Sequence, residues 1–150
     1  MKTKQIYLGH IATLLIGSLI YILFRSSTLK MFIWYDKLGI TNQISRMRAN
    51  TFLYSNKLPH FLLYALPDGF WMFSYMSLIL YLWNNELRRD NIFWVFILSI
   101  IALLSELGQL LKIISGTFDI VDLLMYLLGT ILPFMIYKKS ITIKTTQIWK

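Results

Sequence analysis

Residues 91–112 read NIFWVFILSIIALLSELGQLLK, and from Asn91 to Leu111 the only charge is Glu106. A bilayer core of about 30 Å is crossed by about 20 helical residues, within a range of about 17–25. This stretch is long and apolar enough for such a helix, with Lys112 as its flank. Three further segments share the character. Residues 5–24 carry no charge and are framed by Lys2, Lys4 and Arg25. Residues 60–83 hold only His60 and Asp68 as acidic or basic side chains. Residues 118–137 hold Asp119 and Asp122 near their start and run uncharged to Lys138 and Lys139. The four segments predict an all-α polytopic membrane protein. Residues 1–150 form one domain, an antiparallel bundle of four transmembrane helices with one long interfacial loop, 25–59.

Composition agrees. Of 150 residues, 57% are hydrophobic and 15% charged, with no cysteine, whereas soluble domains carry about 25% charged residues. A disordered tail and a disulfide-stapled secreted domain are excluded. The net charge of +8 invites a nucleic-acid reading, but the bases are scattered over the solvent segments and form no recognition module. They read instead as helix flanks that reach headgroups and water. The first segment is long for a signal-peptide core and runs into Phe24-Arg25-Ser26-Ser27 without a small-x-small cleavage pattern, so it reads as a retained anchor. With four spans the termini share a side with residues 84–90. That side holds eight bases against seven opposite. The first helix and the paired Lys138 and Lys139 place both termini in the cytoplasm.

The loop holds Met31 to Tyr35 and Phe52 to Tyr54, which suit a headgroup zone, and Ile44, Met47 and Thr51 recur at helical spacing. Packing over helix ends explains the same pattern. Ser115, Gly116 and Thr117 predict a tight connection that makes the last two spans a hairpin. Gly9, Thr13 and Gly17 form a small-residue seam in the first span. The third span has Ser99, Ala102, Glu106 and Gln109 on one face, and the fourth has Asp122, Tyr126, Gly129 and Pro133.

Acids inside a bilayer cost about 2.5–3.5 kcal/mol on insertion scales and mark functional sites by default. Since the chain alternates direction, Asp68, Glu106, Gln109, Asp119 and Asp122 all fall toward the membrane face bearing the long loop. Lys57, His60, Arg25 and Lys112 form the expected rim. Each residue also has a plainer role. Asp119 and Asp122 open a helix, where acids cap N–H groups and complement the dipole. Asp68 follows Pro67, so residues 66–69 also read as a helix break. His60 is interfacial, and His10 reads as structural. No catalytic serine, phosphate-loop or zinc motif is present, so no metal and no cofactor is expected.

Two stretches resemble a known family. Asn56-Lys57-Leu58-Pro59-His60-Phe61 is similar to the Asp-Lys-x-x-His-Phe that opens the second helix of VanZ-like membrane proteins. Glu106-x-x-Gln109, followed by Gly116-Thr117-Phe118-Asp119-Ile120-Val121-Asp122 and Gly129, resembles that family's later signature. The chain departs from it at Asn56, where Asp is usual, and at Gly116, where Arg is frequent. The resemblance implies a multi-pass protein of the bacterial cytoplasmic membrane, with a setting in envelope maintenance or teicoplanin-type glycopeptide resistance. Two readings of function remain. One is binding of a lipid, lipid-linked precursor or other amphiphile in the acidic pocket. The other is an accessory or scaffolding subunit that meets another membrane protein through the small-residue seam. An intramembrane hydrolase with a carboxylate base has no nucleophile to support it.

Overall fold

The structure, a computed structural model, describes residues 2–27, 29–55 and 57–143, without the side chains of Phe52 and Leu53. Asn56, Lys144 and Lys150 lie outside the described residues. The architecture is all-α: α1 (Lys2–Phe24), α2 (Lys30–Lys37), α3 (Thr41–Ser55), α4 (His60–Tyr64), α5 (Leu66–Leu82), α6 (Arg89–Leu110) and α7 (Ile120–Ile136). Two two-residue strands, β1 (Glu86–Leu87) and β2 (Thr142–Ile143), pair in parallel.

Among the described residues, α1 and α6 are the helices long and apolar enough to cross a membrane. The other two expected spans differ for identifiable reasons. Residues 60–83 are interrupted at Ala65. Pro67 has no N–H and its ring crowds the Leu63 carbonyl one turn back. The Asp68 and Gly69 amides instead converge on the Ala65 carbonyl, at 3.1 and 3.3 Å. The fourth segment is shortened to 17 residues. Asp119 is extended and caps α7 through the Val121 N–H at 2.8 Å, so the helix cannot begin earlier.

Residues 25–59 are largely helical, as α2 and α3: the helical spacing of Ile44, Met47 and Thr51 falls within α3, and the loop expected around it is correspondingly shorter. The tight turn at 115–117 is also corrected. α6 stops at Leu110, and residues 111–119 link it to α7, with Lys112 at φ 58°. Nor is the α6–α7 hairpin the main pairing. α5 is the centre of the molecule, packed most extensively on α1 and α7. The reason is close approach: a Cβ on Gly129 of α7 would lie 2.5 Å from the Gly69 carbonyl oxygen of α5 and 2.8 Å from Met72 Cβ. α6 completes the core where Val95 meets Met72 and Met76.

The seam of α1 points inward. Gly17 meets Phe70 and Trp71, and Gly9 meets Ser77 and the Tyr137 hydroxyl. The first half of α1 is π-helical from Gln5 to Ala12, and it directs polar groups onto α5. Gln5 and Asn85, both buried, exchange side-chain amide bonds of 2.9 and 3.1 Å, and Gln5 also donates to the Ser77 carbonyl. His10 Nδ1 lies 2.7 Å from Ser74 Oγ. Lys2 donates to Asn84 at 2.7 Å, and Thr142 N–H donates to the Asn85 carbonyl at 2.9 Å. The first turn of α1, the α5–α6 connection and residues 137–143 therefore share one end of the bundle. The candidate site lies at the other.

Candidate functional site

The break at Ala65 sets the site. It starts α5 afresh, so Asp68 falls in that helix's first turn, buried among its neighbours. Glu106 reaches the same place from the last turns of α6 and is buried too. Asp122 arrives from the first turn of α7. Asp68 lies within electrostatic range of Asp122, Arg25 and Glu106, and Asp122 within range of Asp119, Glu106, Arg25 and His60. The Asp119 N–H points at Glu106 Oε2 across 3.4 Å, which joins the end of α6 to the start of α7. Four carboxylates from three helices thus gather at one end of an apolar bundle.

The nine expected site residues divide. Asp68, Glu106, Asp119, Asp122, Arg25 and His60 are brought together. Gln109 is adjacent but structural in its contacts: its side-chain amide fills the space beside Gly116, under the connection into α7. Lys57 is exposed, with its ammonium 5.9 Å from the Tyr54 ring centroid. Lys112 is exposed, at φ 58°. Of the expected rim, Arg25 and His60 are the members that act on Asp68 or Asp122. A lysine next to a helix end in sequence is free to swing away, because its long stem is not held by packing.

Arg25 is held by aromatic rings. Its guanidinium carbon is 5.2 Å from the Tyr21 centroid and 5.0 Å from that of Tyr64. His60 stacks on Tyr64 at 4.1 Å, and Tyr21 packs on Trp71 at 4.9 Å. Such cation–ring contacts contribute about 0.5–2 kcal/mol, more where water is excluded. Among the described residues, two enclosed side-chain atoms are left without a hydrogen-bond partner, Arg25 Nε and Asp122 Oδ1. Buried polar atoms are nearly always paired, so one free donor and one free acceptor at the same end are notable.

Two residues join the site that the sequence reading does not assign to it: Tyr126, which it places only on the polar face of the fourth span, and Arg48. Tyr126 donates its hydroxyl to the Asp68 carboxylate. Its position one turn after Asp122 on the same face was the available signal. Arg48 of α3 donates to the Ile22 and Arg25 carbonyls, the latter at 2.6 Å, and so caps the C-terminus of α1. Its guanidinium also covers Phe32 at 4.6 Å. Partial burial lowers the Arg48 pKa from its usual value. Its carbonyl partners lie more than 20 residues away, so no local pattern announces them.

Beside the carboxylates runs an apolar groove of about 350 Å³ between α1, α5 and α7. Leu66 and Gly69, which flank Pro67 and Asp68, and Met125, less than one turn after Asp122, form its near end, and Leu132 its far end. Among the described residues, no group of three or more His, Cys, Asp or Glu side chains is arranged to hold a metal ion. No family model, no curated protein and no solved structure matches this chain.

Proposed function

We propose that this chain is a VanZ-like, four-span integral membrane protein of the bacterial cytoplasmic membrane that binds a lipid or other amphiphile. The observation that carries the reading is an acidic cluster at the end of the bundle where an apolar groove begins, with Gly69 next to Asp68 and Met125 less than one turn after Asp122 in its lining. The carboxylates and the unpartnered Asp122 Oδ1 offer acceptors to hydroxyl, amine or amide N–H donors of a polar head. The groove, lined by Thr13, Phe70, Phe73 and Leu128 among others, takes an acyl chain. Envelope maintenance or glycopeptide resistance is the setting proposed for it.

The bilayer reading is supported by the outer faces. Only 11% of the apolar window of α1 and 28% of that of α6 are buried. Leu15, Leu19, Phe93, Ile101 and Leu104 point outward, a surface that suits lipid better than water. Residues 60–82 span the same length in two pieces. The 17 residues of α7 extend about 26 Å at about 1.5 Å each, within the range for a short span. The accessory-subunit alternative loses its motivation, since the Gly9–Gly17 seam is occupied by α5.

Glu106→Gln and Asp122→Asn keep side-chain volume and remove charge. In detergent-solubilised full-length protein, each is expected to cut retention of co-purifying lipid about tenfold, the scale of a lost charge-assisted hydrogen bond, with membrane levels unchanged. Undiminished lipid retention by both variants would sink the proposal.

A further inference from the structure

A second concavity, of about 400 Å³, lies where α1 ends, framed by Arg25, Ser26, Ser27, Leu29, Arg48 and Tyr64. Two guanidinium groups, those of Arg25 and Arg48, line it, and no acid does. A helix C-terminus normally repels anions, because its last carbonyls are unpaired and the dipole is negative there. Here that repulsion is removed. Arg48 occupies the Ile22 and Arg25 carbonyls and leaves its positive charge in their place. Arg25 is fixed between Tyr21 and Tyr64, with its Nε enclosed and unpartnered. A guanidinium so held presents its planar fork without further loss of side-chain freedom.

We infer that this pocket receives a phosphate group, the phosphodiester of an anionic lipid headgroup or a free phosphate anion, with Arg25 as the principal ligand and Arg48 as the supporting charge. The inference rests on the amphiphile reading and deepens it. Phosphate oxygens accept from the terminal N–H groups of the Arg25 guanidinium, while hydroxyl or amine groups of the same head reach the carboxylates that share Arg25's surroundings. Arg25 then lies between the two halves of one polar site. The aromatic cage keeps the guanidinium from closing onto Asp68 and Asp122, and no ion pair joins them among the described residues.

The test uses the full chain in nanodiscs of phosphatidylcholine, with or without phosphatidylglycerol, read by native mass spectrometry for retained lipid. Wild type is expected to retain phosphatidylglycerol about tenfold better than phosphatidylcholine. Arg25→Gln is expected to abolish that preference, Arg25→Lys to restore part of it, and Lys57→Gln, outside the pocket, to keep it. Inorganic phosphate separates the two sources. Displacement of phosphatidylglycerol by phosphate supports a headgroup site. Phosphate-dependent thermal stabilisation of wild type but not Arg25→Gln, without lipid preference, supports a free anion. Retention that ignores headgroup charge, with no response to phosphate, overturns the pocket and leaves the amphiphile reading standing. Absence of any retained lipid overturns that reading instead, and the phosphate arm still judges the pocket. A preference that persists in a folded Arg25→Gln also overturns it.

Discussion

Gly129 decides how closely α7 can lie on α5. A methyl group there would sit 2.5 Å from the Gly69 carbonyl oxygen, and this neighbour is backbone, which cannot turn aside like a flexible side chain. Gly129→Ala is expected to destabilise the bundle by about 1–3 kcal/mol, the usual cost of overpacking, measured as a lower midpoint in denaturant or heat. An unchanged midpoint would mean the helices are further apart. The same logic separates the acids. Asp119 has a full structural role as the cap of α7. Glu106 has a weaker structural partner, the Asp119 N–H at 3.4 Å, and both it and Asp68 are buried carboxylates that helix capping alone does not account for. Their presence, and that of Asp122, was legible as charges interrupting apolar runs, and Gln109 as a polar residue one turn after Glu106. The inward bond of Tyr126 to Asp68 was not, because hydroxyl partners on another helix leave no trace in local spacing.

At the scale of elements, α3 is the piece whose attachment depends on one side chain. Arg48 bridges it to two carbonyls at the end of α1 and packs on Phe32 of α2. Hydrogen bonds to a charged group contribute about 1.5–3 kcal/mol each, discounted here because Arg48 is partly exposed. Arg48→Ala is expected to release α3 from the bundle while α5–α7 hold. Hydrogen exchange should rise in residues 41–55 and stay flat in 70–80. A cooperative loss of protection throughout would contradict this division. The break at Ala65 is an element-scale feature that the sequence signalled through Leu66-Pro67-Asp68-Gly69. Its consequence, an acid placed in a fresh first turn, needed the structure. The link at 111–119 misled in the opposite direction. Its serine and glycine suggested a short turn, but the length of the link follows from where Asp119 caps.

For the whole molecule, polar pairing at the end opposite the acids ties the beginning of the chain to its later parts. Gln5 and Asn85 satisfy each other across 80 residues of sequence, and both are almost wholly enclosed. Gln5→Ala strands the Asn85 amide, and a buried group left unpaired costs about 1–3 kcal/mol. The expected result is a lower melting temperature that Gln5→Ala/Asn85→Gly partly restores, since glycine accepts the φ of 60° at residue 85 and the unpaired amide is gone. Failure of the double variant to recover would show that packing, rather than pairing, dominates there. The sequence by itself determined the helical class, the positions of the apolar segments and the end of the bundle toward which the acids fall. Those properties are written in helical periodicity and in the cost of placing charge among apolar groups, both local to a segment. Only the tertiary structure decided that α5 is the hub, that the Gly9–Gly17 seam faces inward, that Lys57 and Lys112 swing away, and that Arg25 and Arg48 meet at the end of α1. Those outcomes depend on which surfaces fit one another at close range, and close fit between distant segments is a property of the folded chain.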